Sequence, residues 1–286
     1  MKIVYIAGLY HTGSTLMDLT LGNLPKVIGL GEIYKGLRGG FEEKCSCGEL
    51  TKDCPFWGDI YEAFKEKKDL DIQAKYDLVI STFFKKYDQD YILVDSSKCH
   101  PFDLFFNKDN RDMQGLNYLI NKPEIDLKVI HMVRDVRSWS NGLLMRDERT
   151  KHELSLINQI YRKFSRSASA RFLQWYWGHK KIINFLKKHK VENLRISYED
   201  LAMDTEATLT SLTDFLGMNY DPSMSIPSES KSHIVVGNPM RFRKADTKKI
   251  QYDTRWLSSN KLFFPAMFLR PIMNFNNKLT YKKKSD

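Results

Sequence analysis

The residues best suited to chemistry follow the first apolar run of the chain. Residues 2–7 predict a strand, and residues 8–15 read Gly-Leu-Tyr-His-Thr-Gly-Ser-Thr before a helical pattern begins. Glycines allow backbone torsions that other residues resist, and a helix start capped by Ser14 and Thr15 leaves amide groups that favour an anion. The segment lacks the lysine of G-x-x-x-x-G-K-[ST], which argues against magnesium-assisted nucleoside triphosphate chemistry. We therefore predict a phosphate site of another kind.

Two kinds of apolar pattern alternate along the chain. Runs rich in β-branched residues predict strands, and apolar residues spaced three or four apart predict helices. This alternation is typical of a parallel sheet with helices on both faces, so we predict an α/β fold with three αβα layers. The predicted strands are residues 2–7, 26–30, 91–94, 127–133 and 193–197, and the predicted helices are residues 14–23, 55–67, 71–86, 136–145, 152–164, 167–189 and 205–216.

Polar clusters begin where the first four predicted strands end. The loop at residues 11–15 follows the first strand, and Glu32 follows the second. Lys98 and His100 follow the third strand, and Arg134 follows the fourth. Ligands of open parallel sheets bind outside the carboxyl ends of the strands. We therefore expect these clusters to form one site.

The composition limits the class of protein. The chain has 286 residues, 42% of them hydrophobic, which suffices for one large core, so we predict a single domain over residues 1–286. The net charge of +10 suits an anionic ligand, but the basic residues are too evenly spread to indicate nucleic acid. No stretch reaches the ~18 apolar residues of a membrane span, and the first residues do not resemble a signal peptide. We predict a cytoplasmic protein.

Three cysteines, Cys45, Cys47 and Cys54, lie close together in the sequence. Their C-x-C-x6-C spacing could hold zinc if Cys99 or a histidine supplied a fourth ligand, and two of them could form a disulfide in an oxidising compartment. Three ligands alone do not make a structural zinc site. We therefore assign no metal and interpret these cysteines as reduced thiols lining a turn.

The ordered set of short motifs resembles the sulfotransferases that use 3′-phosphoadenosine 5′-phosphosulfate (PAPS), in particular bacterial enzymes and the protein-tyrosine and carbohydrate sulfotransferases. Residues 11–16, the turn at residues 23–25 and Glu32 are similar to the 5′-phosphosulfate loop with its downstream acid. Residues 129–137 are similar to the 3′-phosphate motif. The remaining similar segments are residues 45–48, 54–57, 94–98, 197–201 and 233–241.

The resemblance implies a P-loop-like sulfotransferase fold and an activity. PAPS would donate its sulfonate to a hydroxyl acceptor and leave as 3′-phosphoadenosine 5′-phosphate (PAP), and no metal would be required. A late glycine-and-arginine segment would close over the nucleotide, so we predict a lid at residues 230–245. The residues implied in nucleotide binding are Thr12, Gly13, Ser14, Thr15, Leu16, Arg134, Gly237, Asn238, Arg241 and Arg243.

The chain departs from the family pattern at two positions. His11 stands where the family usually has an arginine or lysine that contacts the transferring sulfonate, which makes that charge dependent on pH. Gly142 stands where the family tends to place a serine as a second 3′-phosphate contact. Ser138 and Ser140 are nearby substitutes for that serine.

The reaction itself sets requirements that side chains must meet. Sulfonate transfer to a hydroxyl is an in-line displacement, so the protein must position the reactants, stabilise the leaving group and accept a proton. Glu32 is the preferred base, because burial can raise the pKa of a carboxylate to a useful value. His100 is the alternative, since residues 98–104 resemble a stretch of cytosolic sulfotransferases in which the histidine is the base. Lys98 would neutralise the bridging oxygen of the donor.

The end of the chain is apolar and then basic. Residues 262–269 are rich in phenylalanine, and lysines dominate residues 278–284, so we predict a C-terminal helix and basic tail over residues 260–286. This tail could make a peripheral contact with an anionic membrane. The alternative is a packed helix followed by a disordered charged end.

Two other classes of function compete with sulfonate transfer. One is a P-loop nucleotide kinase, which the missing lysine opposes, and the other is a nucleotide- or anion-binding protein without turnover. The identity of the acceptor stays open, because residues 35–70 and 146–169, which we expect to form its pocket, carry no decodable motif. The oligomeric state stays open as well.

Overall fold

The computed structural model describes residues 1–67, 69–99, 113–149 and 167–281. Strands lie within them at β1 (Lys2–Gly8), β2 (Val27–Gly29), β3 (Ile92–Asp95), β4 (Asp126–Val133) and β5 (Asn193–Ser197). They form a five-stranded sheet in the order β2-β3-β1-β4-β5, and every neighbouring pair is parallel. The predicted α/β class with a central parallel sheet is therefore confirmed.

Helices cover the sheet, and most lie where the sequence predicts them. The predicted helix at residues 152–164 falls outside the described residues. No helix among those described combines the length and the apolar character needed to cross a membrane. The helices are α1 (Ser14–Leu21), α2 (Ile33–Gly39), α3 (Trp57–Glu66), α4 (Ile72–Tyr87), α5 (Gln114–Ile120), α6 (Val136–Arg149), α7 (Ala168–Lys188), α8 (Tyr198–Met203), α9 (Thr205–Leu216), α10 (Phe263–Phe268) and α11 (Arg270–Thr280).

The central strand β1 is apolar from Ile3 onward because both of its faces are covered there. Ile3 and Tyr5 pack into one buried cluster, whereas Val4 and Ile6 pack into a second cluster on the opposite face. Side chains of a strand alternate between faces, so a strand in the middle of three layers needs apolar residues at consecutive positions. This core fixes the carboxyl end of β1, where the first polar loop begins.

The segment of residues 231–236, which belongs to the predicted lid, runs beside β2. The amide of His233 donates to the carbonyl of Gly29 at 2.7 Å, and the amide of Glu32 donates to the carbonyl of Val236 at 2.9 Å. Ile234, Val235 and Val236 are buried in the core. Residues 231–236 are thus packed beside β2, and the lid over residues 230–245 stays a prediction.

The C-terminal region also differs from its prediction. Two helices, α10 and α11, replace the single predicted helix, because the chain turns at Leu269 and Pro271 follows at the start of α11. Proline has no backbone N–H to donate and suits the first turn of a new helix. Residues 282–286, which contain the last lysines, lie outside the described residues.

Candidate active site

The turn between β1 and α1 presents a helix start to a cavity. Gly13 precedes α1 with a φ of 96°, in the left-handed region that favours glycine. Ser14 and Thr15 are the first helical residues rather than caps, and no side chain of the described residues caps α1. The hydroxyl of Thr12 donates to the carbonyl of Leu9 at 2.8 Å and closes the turn. The uncapped helix start favours an anion.

The buried hydroxyl of Ser14 indicates that the cavity binds a ligand with hydrogen-bonding groups. Its side chain is 1% exposed, and its hydroxyl has no hydrogen-bond partner within the described part of the chain. A buried hydroxyl without a partner is costly, and Ser14 lines a cavity of about 270 Å³. An anionic ligand in this cavity would satisfy the hydroxyl.

The cavity lies where the sheet topology predicts a ligand site. Four cationic side chains line it, Lys98, Arg134, Lys249 and Arg255, and among the described lining residues they face one carboxylate, Asp253. This excess of positive charge suits a polyanion. The predicted site residues that line the cavity are His11, Gly13, Ser14, Thr15, Leu16, Lys98, Arg134 and Asn238.

Arg134 is held in one orientation at the end of β4. Its guanidinium donates from Nε to the hydroxyl of Ser138 and from Nη1 to the carbonyl of His11, each at 3.0 Å. The ring of Tyr198 stacks against it, with the centroid 4.4 Å from the guanidinium carbon. The indole of Trp175 donates to the carbonyl of Arg134 at 2.9 Å. Ser138 therefore positions Arg134 and does not line the cavity itself.

Asp253 joins two of the arginines of the cavity. Its carboxylate lies 2.6 Å from Nη2 of Arg134 and 2.7 Å from Nη2 of Arg255. Burial alone would raise the pKa of Asp253, but the bonds from Arg255 and the charge of Arg134 lower it to about 2. Asp253 is thus a stable anion in the cavity near neutral pH.

Glu32 lies behind the cavity and forms ion pairs with two lysines. It is 2% exposed, accepts a hydrogen bond from Nζ of Lys98, and lies 3.1 Å from Nζ of Lys35. Burial by itself raises the pKa of Glu32, but the two ammonium groups outweigh it and lower the pKa below 4.5. The expectation that Glu32 has a raised pKa is therefore wrong, because the pairing with Lys98 and Lys35 outweighs the effect of burial.

Other predicted site residues lie away from the cavity lining. Ser140 is buried, and its hydroxyl has no partner among the residues described. Gly237 packs against Thr15, where an added Cβ would lie 3.4 Å from the threonine hydroxyl. Arg241 is buried and forms an ion pair with Glu42. Arg243 is exposed and outside the cavity lining, and His100 lies outside the described residues.

Several residues of the cavity were not predicted as site residues. Tyr198 begins α8 directly after β5, and its position at the carboxyl end of a strand was the available signal. Lys249, Asp253 and Arg255 come from an irregular segment after the last strand. No periodic pattern or short motif places such a segment against the sheet.

Comparisons with known proteins agree with this architecture. The sulfotransferase domain of the Synechococcus PCC 7002 olefin synthase is similar over 94% of each chain, with 17% identity and a TM-score of 0.52. A sulfotransferase domain from the curacin biosynthetic pathway is similar over 94% of this chain and 97% of that one, with 15% identity and a TM-score of 0.51. Both share the three-layer fold. A search of curated proteins finds no match.

A family model identifies the protein family, which the similarity of fold alone does not. The model described as "Sulfotransferase family" matches residues 4–222, which is most of the chain. The chain therefore belongs to the sulfotransferase family. The matched residues include the loop after β1, Glu32, Lys98 and Arg134, so the site described above lies largely within the family region.

Proposed function

We propose that the protein transfers a sulfonate group from PAPS to a hydroxyl acceptor by in-line displacement. The observation that carries the proposal is the cationic cavity at the carboxyl ends of the strands, in which the buried hydroxyl of Ser14 has no partner among the described residues. PAPS carries a phosphosulfate and a separate 3′-phosphate. The uncapped start of α1 suits the first group, and a guanidinium fork suits the second.

The cavity residues divide between these two anionic groups in the proposal. Residues 12–16 bind the 5′-phosphosulfate, with Lys98 next to the bridging oxygen and His11 next to the sulfonate. Arg134 binds the 3′-phosphate, because a guanidinium can donate two parallel hydrogen bonds to a phosphate. Asn238 and the neighbouring residues of the predicted lid then cover the nucleotide.

Glu32 is the proposed base, and its ion pair with Lys98 supports a shared role. Lys98 donates to Glu32, and Lys98 also lines the cavity. A donor anion would compete with Glu32 for Lys98. The carboxylate that loses part of its pairing becomes a stronger base, because the charge of Lys98 is one of the causes that lower its pKa. His100 is the alternative base.

Ligand-dependent stabilisation tests the donor. PAP at ~100 times its dissociation constant should add about 2.7 kcal/mol to the free energy of unfolding, whereas ADP with magnesium should add little. Stabilisation by ADP with magnesium and not by PAP would instead support a nucleotide kinase. Release of PAP from PAPS that requires an acceptor pool then separates the enzyme from a binding protein without turnover.

The acceptor class is a hydroxyl, and a labelling experiment would identify it. Incubation of a cell extract with labelled PAPS, followed by mass spectrometry of the labelled product, reports the acceptor directly. An extract incubated without the protein is the control. The proposal also keeps residues 1–286 as one domain and the cytoplasm as the location, which stay predictions.

We also propose that α10 makes a peripheral contact with an anionic membrane. Phe263, Phe264 and Phe268 are between 64% and 68% exposed, so the helix presents an aromatic surface to solvent. Binding to phosphatidylserine vesicles should exceed binding to phosphatidylcholine vesicles and fall in a Phe264→Ser, Phe268→Ser double variant. The exposed residue Met203 provides a control substitution elsewhere. Equal sedimentation of all variants would contradict the contact.

A further inference from the structure

Three cysteines that are close in the sequence and one histidine that is distant from them lie together beside β2. Cys45, Cys47 and Cys54 lie near one another in the sequence, and the fold brings His233 to them. The four potential ligand atoms lie within 4.8 Å of one another. The sequence showed three of these ligands but could not show which residue was the fourth.

Four of the six distances between the ligand atoms lie close to those of one tetrahedral ion. With Zn–S near 2.3 Å and Zn–N near 2.0–2.1 Å, tetrahedral ligands lie about 3.8 Å apart for two sulfurs and about 3.6 Å apart for sulfur and nitrogen. The Sγ atom of Cys54 lies 3.5 Å from that of Cys45, 3.8 Å from that of Cys47, and 3.4 Å from Nδ1 of His233. The sulfur of Cys45 lies 4.0 Å from the same nitrogen.

These distances do not fit a disulfide. A disulfide has an S–S length of about 2.0 Å, and all four cysteines of the chain are free thiols in the structure. Three sulfurs and one imidazole nitrogen that lie within 4.8 Å of one another form a ligand set of the Cys3His type, which structural zinc sites use. We propose that Cys45, Cys47, Cys54 and His233 bind one structural Zn²⁺ ion.

The backbone around the cysteines supports the arrangement of their sulfurs. The amide of Trp57 donates to the sulfur of Cys54 at 3.5 Å. Gly48, with a φ of 103°, donates its amide to the carbonyl of Cys45 at 3.0 Å and closes a tight turn that carries the first two cysteines. An amide donor to a ligand atom helps to orient that ligand, as in other metal sites.

His233 lies on the segment of residues 231–236, which runs beside β2. The hydroxyl of Ser46 donates to the carbonyl of Ser232 at 2.7 Å, and the amide of Ser46 donates to the carbonyl of Ile234 at 3.0 Å. These bonds fix the backbone on both sides of His233 against the cysteine turn. The ion would add a metal-mediated connection between two segments about 180 residues apart, and closure of a long loop removes much entropy from the unfolded chain.

The metal site lies close to the candidate active site but outside its cavity. From His233 the segment continues to Val236, whose carbonyl accepts a hydrogen bond from the amide of Glu32. Asn238 then contacts the hydroxyl of Thr15 at 3.2 Å and lines the cavity. The ion would therefore hold the strand-end geometry without contacting the reactants, and it takes no part in sulfonate transfer.

Metal content of the purified full-length chain tests the proposal. We expect about one zinc per chain by mass spectrometry of the metal, after expression with zinc and purification without chelator. Cys47→Ser should lose most of this zinc. Cys47 is exposed, so this substitution tests a ligand without opening the core. Cys99→Ser is the matched control, because Cys99 is a cysteine outside the cluster, and this variant should keep its zinc.

Two further measurements keep the proposal falsifiable if a variant folds poorly. Cobalt added to the apoprotein should give sulfur-to-cobalt charge-transfer absorption in the wild type and in Cys99→Ser, and much less in Cys47→Ser. A chelator should lower the melting temperature of the wild type and leave that of Cys47→Ser unchanged. Equal zinc in wild type and Cys47→Ser would overturn the proposal. A zinc-free wild type lighter by two hydrogens, with Cys45 linked to Cys54, would overturn it as well.

The test of the zinc site does not depend on the proposed function. Zinc content, cobalt absorption and melting temperature report the ion whether or not PAPS is the donor. Failure of PAP to bind would contradict the donor proposal while leaving the metal site in place.

Discussion

Arg134 and Asp253 form an ion pair with 2.6 Å between Nη2 and the carboxylate. A carboxylate and a phosphate offer similar pairs of oxygens to a guanidinium. Asp253 therefore supplies to Arg134 the kind of partner that the 3′-phosphate of PAPS would supply. In the proposed function, the phosphate must share or displace this partner.

Removal of the competing carboxylate should strengthen nucleotide binding. We expect Asp253→Asn to lower the dissociation constant of PAP by about 5- to 30-fold, which corresponds to about 1–2 kcal/mol for a charge-assisted bond that no longer has to be broken. Isothermal titration calorimetry measures the change. Asp90→Asn is the control, because Asp90 pairs with Lys26 at the amino ends of the strands. Weaker binding by Asp253→Asn would show that Asp253 positions the arginines for the ligand.

Arg134 should matter for binding more than for the chemical step. We expect Arg134→Lys to raise the dissociation constant of PAP by about 10- to 100-fold, since lysine keeps the charge but loses the fork geometry and about 1.5–3 kcal/mol of bonding. The turnover number at saturating PAPS should change less. Arg195→Lys, on β5, provides a control with the same change of side chain. A large loss of turnover with unchanged PAP affinity would contradict the assignment of Arg134 to the 3′-phosphate.

Glu32 should matter for turnover and not for binding. We expect Glu32→Gln to reduce the turnover number by roughly 100-fold or more, with nearly unchanged PAP affinity, because the amide keeps the shape and loses the base. Lys35→Gln is the control that removes the exposed partner of Glu32 and keeps the carboxylate. Full activity of Glu32→Gln would move the proposed role to His100.

The pH dependence of the reaction separates the two candidate bases. Because Lys98 and Lys35 hold the pKa of Glu32 below 4.5 despite its burial, this base is already ionised in mildly acidic solution. We therefore expect kcat/KM for PAPS, which reports the free enzyme, to stay level down to about pH 5.5. A fall in kcat/KM as the pH drops through about 6.5, the ordinary pKa of histidine, would favour His100 as the base instead.

Asp18 should make the fold less stable as the pH rises. Burial raises the pKa of Asp18 from 3.8 to about 7, although bonds such as that from the amide of Gly31 oppose the shift. Between these pH values folded Asp18 holds a proton that it loses in the unfolded chain, so the contribution of Asp18 to stability falls from about pH 4 to about pH 7 and levels off above it. Asp18→Asn should remove up to about 4 kcal/mol of this fall. Urea unfolding of both proteins at several pH values measures the difference, and parallel curves would contradict it.

The sequence predicted the sheet well because the inner strands are buried on both faces over most of their length. Runs such as Ile3 to Ala7 of β1 therefore have to be apolar at consecutive positions, and the polar residues that follow them mark the strand ends. Topology then brings Lys98 and Arg134 to the loop after β1. The short helix α2 was not predicted, because its two glycines disfavour a helix that tertiary packing nevertheless stabilises.

The parts that the sequence could not predict depend on long-range contacts. His233 joins the cysteines from 179 residues beyond Cys54, and no local spacing links them. Asp253 reaches Arg134 from an irregular segment, where neither period nor turn chemistry specifies a partner. The pKa of Glu32 depends on Lys35 and Lys98 together, so its direction follows from geometry and not from the burial of the residue alone.

The position of residues 231–236 beside β2 has a consequence for solubility. β2 lies at the edge of the sheet, and exposed edge strands can pair with strands of other molecules. The carbonyl of Gly29 accepts a hydrogen bond from the amide of His233, and the amide of Gly29 donates to the hydroxyl of Ser232 at 3.0 Å. Residues 231–236 thus cover the edge of the sheet at β2. Any change that releases this segment would expose β2 to pairing with other molecules and so promote aggregation.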